Sequence, residues 1–345
     1  MIDIANEANI DVTFFHGKGG TVGRGGNPAL YKAIMAHPPN TINGRFRVTE
    51  QGEMITQNFG QKQVAERTLD IFTSAVLVEK FTKRDAPKQE WKELMDRMSK
   101  VSCDAYRQIV RGEPRFVPYF RSATPEQELA GLNVGSRPAK RNPKGGVESL
   151  RAIPWVFAWT QTRFNLPAWL GVGTAFYQEL SHEDRALHLK KMYAEWPWFS
   201  TLVDLLEMIL VKSDLAISQN YDAQLVRDSD SIKLGEELRE RMVLAEKSVL
   251  EVVNGGHEVL QGGIEDGGDD EKLQYILGSR NDNSILMRSL SVRNPYVDPL
   301  NIIQAELLKR LRSDTQYTTE EEKEEIRDAL LITINGVAAG MRNSG

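Results

Sequence analysis

The chain has 345 residues, of which 41% are hydrophobic and 26% charged, and its formal net charge is −5. This length allows two or three domains with a large core, and the acidic balance argues against a nucleic-acid-binding protein. Cys103 is the only cysteine, which excludes an internal disulfide and predicts a reducing compartment, the cytoplasm.

Neither end of the chain carries a membrane or export signal. The amino-terminal residues 1–11 are polar and acidic, without the apolar stretch of a signal peptide. The most apolar run near the carboxyl end, residues 329–341, is short and interrupted by Thr333, Asn335 and Gly336. The sequence therefore predicts a cytoplasmic protein that does not enter a membrane.

The first predicted unit is a short strand, residues 12–15, that enters a glycine-rich loop at residues 16–26. Glycine permits positive φ, and successive N–H groups in such turns can form a nest that binds anions. Lys18 and Arg24 add positive charge, and Arg24 can bind a phosphate or carboxylate through two parallel hydrogen bonds. Together with His16, they favour a seat for a small polyanionic substrate; the alternative is a flexible surface loop.

The common nucleotide-binding motifs do not fit this loop. A Walker loop needs Ser or Thr after its lysine, and Gly19 follows Lys18. The dinucleotide fingerprint, counted from Gly17 and Gly19, needs a third glycine where the chain has Val22. Neither ATP nor NAD is supported.

A second strand is predicted at residues 45–49, which alternate between polar and apolar side chains. It ends in a polar cluster that contains Glu50 and Glu53. In α/β barrels the carboxyl ends of the strands carry the chemistry. A solvated turn explains the two glutamates equally well.

Residues 61–112 are predicted to be helical. Between Pro87 and Gly112, apolar residues recur at three- and four-residue spacing, namely Leu94, Met98, Val101, Ala105 and Ile109. Cys103 lies within this helix, and we interpret it as a core thiol.

Residues 114–148 are predicted to be irregular and cationic, which suits a mobile loop that meets a small anion. The cations are Arg121, Arg137, Lys140, Arg141 and Lys144. For the last three, a solvated surface loop remains the alternative.

The apolar run within residues 148–161 predicts a strand buried on both faces, as in a parallel sheet or barrel. Arg151 directly precedes it and needs a partner, either an internal carboxylate or a ligand anion.

The rest of the chain is predicted to be helical. One apolar face spans residues 202–210 and is followed by Lys212; another spans 234–252, after a probable cap at 228–231. Residues 261–270 are predicted to form a mobile acidic loop, and two further helices are predicted at 300–311 and 320–341. On the residues alone, Lys212, Arg293 and Arg342 are best explained as separate surface ion pairs.

Long segments of the chain closely resemble the carboxy-terminal part of the phosphoenolpyruvate carboxylase family, in that family's order. They are FFHGKGGTVGRGG, RVTEQGEMI, YFRSATPEQEL, GSRPAKR, GGVESLRAIPWVFAWTQTR, LPAWLGVG, RNPYVDPLN and GVAAGMRNSG. The resemblance covers essentially the whole chain.

The resemblance implies an α/β barrel wrapped in many helices and therefore a predominantly α-helical protein. Residues 1–165 would hold the last barrel strands and active-site loops, and residues 166–345 a helical region with the inhibitor site. The implied reaction joins phosphoenolpyruvate to bicarbonate and gives oxaloacetate and phosphate, with Mg²⁺ or Mn²⁺. A homotetramer inhibited by aspartate or malate is also implied.

The resemblance assigns roles to individual residues. Arg24 is implied as the catalytic arginine, and His16 as an aid to substrate and bicarbonate binding. The implied substrate-binding residues are Lys18, Arg151, Arg137, Gly19 and Gly20. The implied inhibitor site consists of Lys212, Arg293 and Asn343 together with Arg24, which replaces the surface-ion-pair interpretation of Lys212 and Arg293.

The chain departs from the family pattern in two ways. Lys18 stands where the family has arginine, which keeps the charge but loses the two-pronged hydrogen bond. The family's TAHPT and SDSxKD segments and a metal-ligating glutamate are missing, so the metal ligands are expected outside this chain. The chain is thus expected to be part of an active carboxylase or, alternatively, a catalytically silent module that binds aspartate or malate or associates with other subunits.

Overall fold

A computed structural model of the chain describes residues 2–10, 12, 34, 36–38, 41–42, 44–45, 52–82, 86–131, 140–142, 147–262, 295–313 and 319–341. These residues are predominantly α-helical and contain no β-strand; one isolated antiparallel bridge joins Lys140 and Leu150. The strands predicted at 12–15 and 45–49 fall almost wholly outside them. No helix in this part of the chain is long and apolar enough to cross a membrane.

The helices are numbered here in chain order. They are α1 Ile2–Glu7, α2 Gly52–Phe59, α3 Lys62–Phe81, α4 Gln89–Val110, α5 Phe116–Ala123, α6 Ala152–Gln161, α7 Leu166–Trp169, α8 Val172–Leu180, α9 Glu183–Glu195, α10 Pro197–Lys212, α11 Leu215–Leu225, α12 Ser229–Gly262, α13 Val297–Arg312 and α14 Glu320–Gly340. Short 3-10 helices lie at Glu128–Gly131 and Val147–Ser149.

The 34-residue helix α12 is central to the main core and packs against α5, α8, α9 and α10. Its predicted apolar face is confirmed, since the residues at three- and four-residue spacing are all buried: Leu234, Leu238, Met242, Ala245, Val249 and Val252. Each of these side chains except the smaller Ala245 stabilises the fold by ~1.5–3 kcal/mol. The main core contains residues from both sides of position 165. The division of the chain into regions 1–165 and 166–345 stays a prediction.

The strand predicted within residues 148–161 is wrong, because residues 152–161 form α6. A continuous apolar run fits a buried helix as well as a buried strand. More than one side of α6 is covered: Trp155 and Trp159 contact Phe116 and Phe120, with ring centroids 4.9–6.1 Å apart, and Phe157 is buried on another side. The apolar run thus reflects a helix that is largely buried.

The irregular structure predicted for residues 114–148 is also partly wrong, because α5 occupies Phe116–Ala123. Pro118 is the third residue of α5, and Pro154 is the third residue of α6. A first-turn N–H has no partner within the helix, so proline is tolerated there. In both segments proline marks a helix start.

The helix predicted between Pro87 and Gly112 is confirmed as α4, and its residues Leu94, Met98 and Ile109 are buried. The interpretation of Cys103 as a core thiol is wrong, because its side chain is exposed. Cys103 follows Leu94 by two and a half helical turns and therefore lies on the opposite face.

Side chains cap several helices. The predicted cap at 228–231 is confirmed, since Asp228 Oδ1 accepts a hydrogen bond from the Ser231 N–H at 2.7 Å. The predicted carboxy-terminal helices are α13 and α14, and Thr319 begins α14 with a capping box to Glu322. Of the predicted acidic loop, residues 261–262 end α12, and the remainder lies outside the described part. Gly52 and Glu53 lie in α2, and Glu50 lies outside the residues that the structure describes.

Candidate functional site

Arg151 and Lys212 are the predicted site residues that lie within the described part of the chain. The others lie outside it: His16, Lys18, Gly19, Gly20, Arg24, Arg137, Arg293 and Asn343. The site can therefore be examined at the positions of Arg151 and Lys212 and in the segments that lead to the remaining residues.

Arg151 is held between a bridge and a helix. The Arg141 N–H donates to the Ser149 carbonyl at 2.8 Å, next to the bridge between Lys140 and Leu150. Arg151 itself is extended (φ −78°, ψ 159°) and precedes α6, and its carbonyl accepts from the Trp155 N–H at 3.1 Å. The backbone of Arg151 is thus fixed from both sides.

Lys140 is tied to the protein interior. Its Nζ lies 3.7 Å from Glu126 Oε1, and Glu126 is buried. This contact favours a structural role for Lys140 over a freely solvated one.

Lys212 ends α10, and its carbonyl accepts a hydrogen bond from Arg163 Nε at 2.5 Å. The same guanidinium donates through Nη1 to Asp298 Oδ1 at 2.9 Å. The Arg163 and Asp298 side chains are only 8% and 14% exposed. Arg163 therefore links the end of α10 to the first turn of α13 in a partly desolvated, charge-assisted contact.

The turn that carries Arg163 is fixed by further bonds. The Arg163 carbonyl accepts from the Asp214 N–H at 2.8 Å, and Asn165 Nδ2 donates to Ser213 Oγ at 2.9 Å. Arg163 and Asn165 both have positive φ, at 56° and 49°. Such conformations cost ~1–3 kcal/mol each and persist where surrounding contacts hold them.

Described residues that lie near the predicted inhibitor positions in the sequence meet at the start of α13. Asp298 follows Arg293 by five residues. Val297 forms a buried cluster with Val337 and Met341, and Met341 precedes Asn343 by two residues. The contact is close, since a Cβ at Gly340 would lie 2.3 Å from Val297 Cγ2. Lys212 reaches the same region through Arg163.

A buried polar network joins the end of α6 to α13 and α14. Asn301 Nδ2 donates to the Gln161 carbonyl at 2.7 Å, and Gln304 Nε2 donates to Gln161 Oε1 at 2.9 Å. Gln161 Nε2 donates to the Ile334 carbonyl at 3.4 Å. Tyr221 donates to Gln304, and burial raises the pKa of Tyr221, so the phenol stays a donor.

Glu246 lies on α12 with a perturbed carboxyl group. Burial, followed by repulsion from Asp214, raises the pKa of Glu246 to about 7. Asp214 caps α11 two residues after Lys212 by accepting from the Ile217 N–H at 2.9 Å. A carboxyl group that changes charge near neutral pH therefore faces the turn that follows Lys212.

The described residues offer no metal site. Among them, no group of three or more histidine, cysteine, aspartate or glutamate side chains is arranged to hold a metal ion. The described side chains do not fit the Mg²⁺ or Mn²⁺ that the resemblance implies.

Sequence reasoning missed Arg163 and Asp298. Arg163 lies in the quoted segment GGVESLRAIPWVFAWTQTR, and Asp298 lies in RNPYVDPLN. Helix α6 lies between Arg151 and Arg163 in the sequence and is about 15 Å long, at a rise of about 1.5 Å per residue. Both ends of α6 are thus anchored at an arginine.

Comparison with known proteins gives a consistent result. A family model described as "Phosphoenolpyruvate carboxylase" matches residues 1–345. Proteins with that name from Vibrio parahaemolyticus and Actinobacillus pleuropneumoniae are 47% and 45% identical over 345 residues. "Phosphoenolpyruvate carboxylase 4" of Arabidopsis thaliana is 45% identical over 346 residues.

These matches cover all of this chain but only a part of each relative. The chain spans 36% of the length of the two bacterial proteins and 31% of the plant protein. The family model matches every residue, and the three relatives are each more than 40% identical to the chain. Both comparisons give the same family. The chain belongs to the phosphoenolpyruvate carboxylase family.

Proposed function

We propose that the chain forms the carboxy-terminal part of a phosphoenolpyruvate carboxylase, a carbon-carbon lyase that fixes inorganic carbon to replenish oxaloacetate. The observation that carries this proposal is the family match over all 345 residues. In the proposed reaction, phosphoenolpyruvate and bicarbonate give oxaloacetate and phosphate.

The proposed chemistry places negative charge on two groups at once. A bicarbonate oxygen attacks phosphorus, and the bond from phosphorus to the enol oxygen breaks, which yields carboxyphosphate and an enolate. Carboxyphosphate then releases CO₂ and phosphate, and the enolate carbon attacks CO₂. Cationic side chains stabilise charge that develops in this way, and we assign Arg24 and His16 to the reacting groups.

The remaining proposed substrate contacts are made by the loops around Arg24. Lys18, Arg137 and Arg151 would bind the phosphate and carboxylate of the substrate, and Gly19 and Gly20 would bring backbone N–H groups close to it. Fixed backbone contacts on both sides of Arg151 support its place in this set, because a preorganised cation binds an anion at lower cost.

The family's Mg²⁺ or Mn²⁺ would neutralise charge on the substrate phosphate. Since the family's metal-ligating segments are missing from the sequence, we propose that the metal ligands lie outside this chain. We likewise propose that the complete protein is a cytoplasmic homotetramer. The barrel would be completed by strands from outside the described residues.

We assign inhibition by aspartate or malate to Lys212, Arg293, Asn343 and Arg24. Described residues near these positions in the sequence meet at the start of α13, which supports this assignment. Bound inhibitor would draw Arg24 away from the substrate. The alternative is a catalytically silent module that binds the inhibitor or associates with other subunits.

A coupled assay for oxaloacetate, with Mg²⁺ and bicarbonate, tests the proposal. We expect no turnover by the chain alone and turnover when it is coexpressed with a polypeptide that supplies the unmatched two-thirds of the family. Arg24→Gln should abolish that turnover, whereas Arg107→Gln on the exposed face of α4 should not. Absence of turnover in the combined sample, with both parts folded, would favour the silent module.

Calorimetry tests the inhibitor site separately. We expect aspartate to bind the chain and Lys212→Gln to weaken that binding. If millimolar aspartate produces no heat, the inhibitor assignment is wrong even if the combined enzyme is active.

A further inference from the structure

A cleft of about 960 Å³ lies between the first two turns of α4 and the junction of α9 and α10. This volume is within the range of small-molecule sites. Neither Arg151, Arg163 nor Lys212 lines it. The cleft is therefore separate from the contacts described above and needs an explanation of its own.

One wall of the cleft is a row of three indole rings. Trp91 and Trp196 are stacked, with centroids 6.2 Å apart and planes inclined by 18°. The ring centroids of Trp198 and Trp196 are 5.1 Å apart, and Trp198 is 38% exposed. Trp198 thus ends the row with part of its indole open to the cleft, where another planar ring could pack against it.

The helix junction holds these rings in place. Trp196 is extended (φ −108°, ψ 101°) between α9 and α10, and Pro197 begins α10 with a restricted φ. Trp196 also stacks on the buried ring of Phe199, at 6.4 Å. Because the aromatic wall is preorganised, a ligand that stacks on it loses little free energy in ordering it.

Charged side chains lie beside this row, at the start of α4, which also carries Trp91. Lys88 is already engaged: its Nζ lies 2.9 Å from Glu195 Oε2 and 4.4 Å from the centroid of Trp91. Lys92 and Asp96 follow at four-residue spacing and also line the cleft. The side chains of Lys92 and Asp96 form no ion pair or hydrogen bond with any residue that the structure describes.

The order of these two charges explains why they do not pair. At this spacing an acid that precedes a base along the helix interacts better than a base that precedes an acid. The two side chains therefore present one positive and one negative group, on neighbouring positions of a helix face, beside an aromatic wall. A ligand with one group of each charge and a planar ring would satisfy all three features.

We propose that this cleft binds a free aromatic α-amino acid. The ring stacks on Trp198 at the open end of the indole row, the carboxylate pairs with Lys92, and the ammonium pairs with Asp96. The ion pairs are exposed and weak, so affinity in the millimolar range is expected, with the ring as the main contributor. This inference does not depend on the proposed carboxylase activity.

Calorimetry of the full chain with L-phenylalanine, phenethylamine and 3-phenylpropionate tests the proposal. The two analogues each lack one charge of the amino acid, and both should bind more weakly than L-phenylalanine. Trp198→Ala should weaken L-phenylalanine binding about threefold to tenfold, and Trp198→Phe should largely preserve it.

The charge variants make the assignment specific. Lys92→Gln should weaken L-phenylalanine and leave phenethylamine unchanged, whereas Asp96→Asn should weaken L-phenylalanine and leave 3-phenylpropionate unchanged. Lys100→Gln, an exposed position on α4 outside the cleft, is the matched control, and circular dichroism checks that each variant folds. Absence of heat at roughly tens of millimolar L-phenylalanine would overturn the proposal. Equal binding of L-phenylalanine by Trp198→Ala and the original chain would overturn it too. Equal binding of all three ligands would overturn it as well.

Discussion

Arg163 shows how one side chain can connect three parts of the molecule. Its guanidinium bonds to the last residue of α10 and the first turn of α13, and its backbone bonds to Asp214. It does so from the left-handed region, at φ 56°. Because the side chain is nearly buried, water cannot replace these bonds when they are lost.

We expect Arg163→Ala to lower the free energy of unfolding by about 3 kcal/mol, because it removes two hydrogen bonds of a guanidinium that is largely shielded from water. Chemical denaturation measures this change. Arg107→Ala on the exposed face of α4 is the control and should change stability by less than about 0.5 kcal/mol. Equal effects of the two variants would show that the Arg163 contact does not stabilise the fold.

Removal of the Arg163 contact should also affect the proposed inhibitor site. The variant should bind aspartate more weakly even at temperatures where it remains folded, since the end of α10 is no longer tied to α13. Calorimetry on the folded variant would detect this loss, and an unchanged affinity would separate the contact from the site.

The raised pKa of Glu246 predicts a pH-dependent stability. Its pKa is about 7 in the folded chain, against an ordinary value of 4.5, so the folded state binds more protons between these values. Stability from this group is therefore fully present below pH 4.5 and is lost as pH rises through 7. Glu246→Gln should be more stable than the original chain at neutral pH, by about 1 kcal/mol given partial solvent screening.

Thermal unfolding of the Glu246→Gln variant across this pH range provides the measurement. The difference from the original chain should grow as pH rises and should vanish in acid. Glu240→Gln, at an exposed position of the same helix, should show no such growth. A constant difference at all pH values would mean that Glu246 does not titrate in this range.

Much of the candidate site could be named from the sequence, but its connections could not. The resemblance to the family names Lys212 and Arg151 as site residues. Arg163 acts through contacts with residues 49 and 135 positions away, and no local pattern encodes those distances. A buried arginine at positive φ becomes visible only once the chain is folded.

At the scale of elements, sequence periodicity predicted the helices that bury one face. It failed for α6, which is largely buried. α4 and α12 each bury one stripe, so their periodicity was sufficient to predict them. The apolar run of α6 has no clear period because most of its side chains are buried or half-buried. A local sequence pattern cannot show which other segments will surround a helix in the folded chain.

The close approach of α8 and α12 makes a prediction at this scale. A Cβ at Gly173 would lie 2.7 Å from the backbone of Ala245, so any side chain forces the helices apart. We expect Gly173→Ala to lower the free energy of unfolding by about 1–3 kcal/mol, although alanine favours helices. Gln178→Ala, exposed on the same helix, should be neutral or stabilising. Stabilisation by Gly173→Ala would contradict the close packing.

At the scale of the whole molecule, α3 presents an apolar stripe to solvent. Leu69, Leu77 and Phe81 are 57%, 50% and 76% exposed, and they lie with Thr73 at four-residue spacing on one face. The other face of α3 packs on the small cluster around Ile34 and Ile42. Surface helices usually expose polar residues, so a stripe of this kind is expected to associate with another apolar surface.

We therefore expect the chain in isolation to associate reversibly as its concentration rises, which sedimentation velocity would measure. Leu77→Gln combined with Phe81→Gln should reduce this association, because the double substitution removes most of the exposed apolar area of the stripe. The thermal midpoint should stay unchanged, since neither side chain contributes to the core. Arg67→Gln combined with Asp70→Asn, on the same helix, preserves the apolar stripe and net charge and should leave association intact. If association survives loss of the apolar pair, another surface causes it; if the midpoint falls, the stripe supports the fold instead.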